Sequence, residues 1–105
     1  MWYNRHKSKI TSFSGYKYLP VRQIKISQKV KIRDLGTGWF YIGIVMNKSK
    51  DYISIDGIYY DYDDNEIYDI EDAEFDICDI GKQKNYQFYL IPDIKLKPKD
   101  FKEVF

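Results

Sequence analysis

The chain holds a single cysteine, Cys78, so no intramolecular disulfide can form. Small secreted domains usually depend on such staples. That absence sets an intracellular, cytoplasmic expectation. No apolar run approaches the roughly 18 residues needed to cross a bilayer, and the N-terminus lacks the apolar segment of a signal peptide. Histidine is equally scarce. His6 is the only one, and it falls in a poorly periodic stretch. A Cys/His nucleophilic pair needs both groups within hydrogen-bond reach, which nothing in the pattern supports. No His/Cys set exists for zinc. No G-x-S-x-G, Walker or dinucleotide-binding glycine pattern is present; "GTG" by itself is a turn. The expectation is a protein without catalytic residues, metal or cofactor. A small ribonuclease-type toxin with Arg/Lys/Asp/His chemistry remains a second alternative.

Alanine occurs once and leucine four times, against fifteen isoleucines and eleven tyrosines. Helix formers are depleted, while β-branched and aromatic residues, which suit a pleated surface, are abundant. A length of 105 residues allows one domain with a modest core. The composition predicts a mostly β fold. Residues 1–20, basic and aromatic, form an expected N-terminal arm, and 21–105 a single small β domain.

Net charge is +1, but it is unevenly distributed. Residues 1–50 carry eleven Lys/Arg and one acid, a net of +10. Residues 51–79 carry twelve acids and no base, and residues 80–105 return +3. Asymmetry of this kind points to strongly charged partners, or to halves that neutralise each other across neighbouring strands.

Periodicity suggests where these charges lie. Ile24, Ile26, Val30 and Ile32 share one parity, and Lys25, Lys29, Lys31 and Arg33 the other. This predicts a long strand, or two colinear ones, with a basic outer face. "LGTG" (35–38) predicts a turn. "WFYIGIVMN" (39–47) reads as a central strand covered on both sides, with Gly43 a bulge or point of close approach. Asp56-Gly57 is a two-residue hairpin signal. It would pair Ile55 with Ile58 and Ile53 with Tyr60, leaving Tyr59, Asp61 and Asp63 outward. Ile67 and Ile70, three apart, predict a short 3₁₀ turn within 67–72. Phe75 and Ile77 predict a short strand that holds Cys78 as a small, partly buried apolar residue. Tyr86, Phe88 and Leu90 predict another, and "PKDFKEVF" a closing helical turn. Five to seven short antiparallel strands make a small barrel. The middle of the chain resembles an SH3-like barrel at fold level, with an OB-like barrel as the alternative.

Three binding readings follow. "DYDDNEIYDIED" overlays partly on a calcium loop through Asp61, Asp63, Asn65, Asp69 and Asp72. Glu66, however, stands where the loop needs glycine, so no dedicated metal site is expected. Nucleic acid could be held by Arg5, Lys7, Lys9 and Lys17 of the arm with Lys25, Lys29, Lys31 and Arg33 of the basic face, beside stacking rings. The leading reading uses the acids. Tyr59, Asp61, Tyr62, Asp63, Asp64, Glu66, Asp69, Glu71 and Asp72 would form an acidic, Tyr-rich face for a basic host surface. In style the chain resembles inhibitors encoded by phages and mobile elements, including anti-CRISPR and anti-restriction DNA mimics. That resemblance implies a non-enzymatic inhibitor in a bacterial cytoplasm, whose partner is a nucleic-acid-handling defence enzyme.

Overall fold

A computed structural model describes residues 15–61 and 63–91. Arg5, Lys7 and Lys9 of the expected arm, Tyr62 of the expected acidic face, and the expected C-terminal helical turn lie outside the described residues. The described chain is mostly β. Its strands are β1 (Lys17–Leu19), β2 (Lys29–Asp34), β3 (Phe40–Lys48), β4 (Tyr52–Asp61), β5 (Glu66–Asp76) and β6 (Tyr86–Leu90), with 3₁₀ turns at Val21–Gln23 and Ile77–Asp79. All six join one antiparallel sheet in the order β1-β6-β2-β3-β4-β5. The sheet is open, with β1 and β5 at its edges.

The sheet is nevertheless rolled. Phe75 on edge strand β5 meets Phe88 on β6 with ring centroids 5.6 Å apart, although four ladders separate the two strands. In a flat sheet those strands would lie about 19 Å apart. The inner, concave face carries Leu19, Val30, Ile32, Val45, Ile53, Ile55, Phe75 and Phe88, all buried in one cluster. A smaller cluster of Phe40, Ile58 and Tyr60 occupies the convex face.

Backbone features explain the curl. Gly43 of β3 and Gly57 of β4 are cross-strand partners. A Cβ on Gly57 would overlap the Ile42 carbonyl oxygen and the Gly43 Cα, and one on Gly43 would overlap the Asp56 carbonyl. The two backbones therefore approach more closely than any side chain permits. Beside them the β4–β5 register slips between Ile55 and Gly57, so that Asp56 faces two residues, Glu71 and Asp72. Asp72 takes a left-handed φ of 55°, and its N–H donates to Asp56 Oδ1 at 2.7 Å. A bulge of this kind bends a strand and sharpens its twist.

The turn at 35–38 forms as expected. Asp34 Oδ1 accepts from the Gly36 and Thr37 N–H groups at 2.9 and 3.3 Å, and Gly38 supplies a φ of 80°. β3 and β6 fall where the pattern placed them, and Gly43 is the expected point of close approach, but β3 is not covered on both sides, since Ile44 and Met46 are exposed.

Four other expectations are corrected. Asp56-Gly57 is not a turn but the interior of β4; the β4–β5 hairpin turns instead between Asp61 and Glu66, with Asn65 at φ 56°. The 3₁₀ turn expected within 67–72 is continuous strand interrupted by the bulge, and the helical turn comes later, at Ile77–Asp79. Ile77 and Cys78 consequently leave the strand, and Cys78 is exposed. The long basic strand breaks at Lys25–Gln28, where Ser27 at φ 75° forms a turn closed by the Gln28 N–H to the Lys25 carbonyl. Ile26 is therefore exposed despite sharing the parity of Ile24, Val30 and Ile32.

Candidate functional site

The roll decides which charged residues reach solvent. As the edge strand, β5 has a neighbour on one side only. Between the β4–β5 turn and the end of β5, Asp63, Asp64, Glu66, Asp69, Glu71, Asp72, Glu74 and Asp76 are all exposed, and no Lys or Arg occurs from Asp51 to Gly81. The six carboxylates from Glu66 to Asp76 span about 33 Å of extended strand. That is one charge per roughly 6 Å, against one per about 3.4 Å along a single DNA strand.

Asp61 differs from its neighbours. Sequence alternation put it outward, but it is buried. Its Oδ1 accepts from the N–H groups of Asp63 and Asp64 at 3.0 and 3.2 Å, so it holds the turn rather than contributing to the outer surface. The Asp61 charge is the first cause of a raised Asp64 pKa. Replacing Asp61 by Ala is expected to cost about 2 kcal/mol in chemical denaturation, because two turn N–H groups lose their carboxylate acceptor. Asp61→Asn, which keeps the acceptor, should cost less than half of that.

Beside the acidic edge, the concave face ends in aromatic rings. Tyr41, Tyr59 and Tyr68 are cross-strand neighbours on β3, β4 and β5, with centroid separations of 4.3 and 6.4 Å. Trp39 lies 5.5 Å from Tyr59 in an edge-to-face arrangement, and its indole N–H donates to Asp63 Oδ2 at 2.9 Å. Tyr86 on β6 closes the row, 6.4 Å from Tyr41. Tyr68 is exposed and the other four rings are half-buried.

Asp34 is the carboxylate that Tyr41, Tyr59 and Tyr86 share. It is the cross-strand partner of Tyr86. Burial raises the Tyr41, Tyr59 and Tyr86 phenols above their ordinary pKa, and the Asp34 charge adds to each shift. A hydrogen bond from Thr37 acts the other way on Tyr59. Asp61 and Glu66 add to the rise at Tyr68, after desolvation. Asp79 and Asp76 do so at Tyr86. The arrangement is a negative, ring-lined mouth at one end of the roll, continuous with the acidic edge.

The expected basic face is not assembled as the pattern implied. Lys31 points into the convex-face cluster, is fully buried, and has its Nζ 4.4 Å from the Phe40 ring centroid. Arg33 is half-buried over Tyr89. Lys25 sits in a turn, and only Lys29 keeps the expected exposed strand position. Lys17 is exposed on β1, at the opposite edge from β5. The calcium-loop residues do not converge, since Asp61 is committed to the turn while Asp69 and Asp72 lie along β5. Among the described residues the grouping with ligand atoms close enough for a metal is Asp76, Cys78 and Asp79, within 4.8 Å of one another.

No protein-family model, curated protein or solved structure matches the chain. No helix among the described residues is long and apolar enough to cross a membrane. Function must therefore be argued from this surface. Sequence reasoning found the acids and Tyr59, but missed Asp34, Trp39, Tyr41 and Tyr86. Their common location depends on the roll, which no local pattern in the sequence signals.

Proposed function

We propose that the protein is a non-catalytic binding protein that docks its acidic β5 edge and adjoining turn onto a basic surface of another protein. The observation that carries this reading is the run of exposed carboxylates from Asp63 to Asp76 without an intervening base. Regularly spaced carboxylates offer Lys and Arg side chains part of what backbone phosphates offer. The strip is about half as densely charged along its axis as a DNA strand, which favours a local patch over imitation of a whole duplex. The partner class it fits is a protein with a phosphate-binding site, such as a nucleic-acid-handling defence enzyme of a bacterial host. The chain would act there as an inhibitor of phage or mobile-element origin. Burial of Lys31 weighs against the competing nucleic-acid reading, because it removes one of the four cations that were to line a strand face.

The test is charge reversal on the exposed edge. A variant with Glu66→Lys, Asp69→Lys and Glu71→Lys should keep its far-UV circular dichroism. It should lose at least tenfold in affinity for a protein captured from nuclease-treated bacterial lysate and then purified. Unchanged affinity in the folded variant would overturn the reading. Capture that vanishes after nuclease treatment would shift the assignment to nucleic acid.

A further inference from the structure

The acidic edge supplies charge, but the mouth beside it has shape and chemistry of its own. Tyr41, Tyr59 and Tyr68 form a cross-strand row of rings, with Trp39 at one side and Tyr86 at the other. Carboxylates edge the row, with Asp34 opposite Tyr86 and Asp63 on the Trp39 indole. Among the described residues, the cations that lie over rings do so elsewhere: Lys31 over Tyr16 and Phe40, Arg33 over Tyr89, and Lys82 over Tyr18.

We propose that this mouth receives an arginine side chain of the basic partner, its guanidinium lying against the rings of the row and donating to Asp34. The inference rests on the docking reading above and names the group that would anchor it. Rings attract a cation through the negative charge of their faces. A planar guanidinium can stack and donate two parallel hydrogen bonds to a carboxylate, whereas an ammonium can do neither. Half-buried tyrosines and a tryptophan are also the residues that most often carry the binding energy of an interface. Asp34 is already fixed by the Gly36 and Thr37 N–H groups through Oδ1. It therefore holds its position before the ligand arrives, beside its cross-strand partner Tyr86.

The experiment titrates the full chain with short blocked peptides, Gly-Ser-Arg-Ser-Gly and its lysine and citrulline counterparts, at about 0.15 M salt, where long-range attraction is screened. Trp39 emission reports binding, and Trp39→Phe identifies its signal. The arginine peptide is expected to bind at least fivefold more tightly than the lysine peptide, with the citrulline peptide weakest. Tyr68→Leu and Asp34→Asn should each weaken the arginine peptide about tenfold. Asn can keep the turn contacts while removing the charge, and Tyr68 is exposed, so both variants should fold. Equal affinity for arginine and lysine peptides, unchanged by Tyr68→Leu, would overturn the inference and leave the charged-edge reading standing. Absence of binding by the arginine peptide to the folded chain would also overturn it. The triple reversal on β5 tests the docking reading separately.

Discussion

Gly57→Ala is expected to destabilise the fold by about 3 kcal/mol or more, at the upper end of what overpacking usually costs. The added methyl would meet backbone, the Ile42 carbonyl and Gly43 Cα, instead of the movable end of a side chain. Relief would require β3 and β4 to separate at the point where the sheet rolls. The damage should therefore spread to contacts that depend on the roll, Phe75 with Phe88 and Tyr41 with Phe75. Urea denaturation would give the loss in stability, and the near-ultraviolet signal of the aromatic mouth should fall in parallel. Full native stability in Gly57→Ala would show that the close approach is not required.

The second large effect is a pH-dependent gain. Burial, and secondarily the charge of Arg33, lowers the Lys31 pKa from 10.5 to about 7. The native state therefore releases this proton at lower pH than the unfolded chain does. Below pH 7 the ammonium is charged in both states, and its burial cost is fully present. As pH rises from about 7 toward 10.5 the native state holds the amine neutral while the unfolded chain still binds a proton. This contribution to stability climbs across that window and levels off above it. Lys31→Met removes the titration while keeping an unbranched apolar stem beside Phe40, Ile42 and Ile58. A gain of about 1–4 kcal/mol is expected below pH 7, in line with other replacements of buried charge by apolar groups. The gain should shrink toward zero near pH 10. A constant difference between variant and parent from pH 6 to pH 10 would refute the assignment.

Both predictions rest on residues whose surroundings the sequence disguised. A two-residue turn inverts the parity of an alternating pattern. So does a strand that buries one face in its first half and the other face in its second. β4 does the latter: Ile53 and Ile55 face the concave core, whereas Ile58 and Tyr60 face the convex cluster. The Asp56-Gly57 dipeptide sits at the switch, and propensity alone cannot separate the two cases. Gly57 is required there by Gly43 across the ladder, a long-range condition invisible in a local window. Ile67 and Ile70 repeat the effect on β5, the first against the convex cluster and the second against the concave one. Lys31 obeyed its parity, but the face it lies on is itself buried. The features that survived were those set by nearest neighbours: the Asp34–Trp39 turn, the apolar run of β3, and the alternation of Tyr86, Phe88 and Leu90. The acidic edge was legible because charge needs only exposure. The ring-lined mouth was not, since it joins residues from five strands.

The place of β6 between β1 and β2 has a kinetic consequence. The meander β2-β3-β4-β5 can assemble from neighbouring segments as they leave the ribosome. β1, however, has no ladder partner until β6 appears some 70 residues later, and one side of β2 waits for more than 50 residues. Pairings of such sequence separation form late and slowly, because loop closure must come before any gain from contact. At translation speeds of about 5–20 residues per second, the half-built sheet would leave one side of β2 unpaired for several seconds. The outer side of β5 in the same intermediate is lined with carboxylates, so the nascent chain's two free edges are unequal: one is guarded by charge, and the other, β2, is reserved for β6.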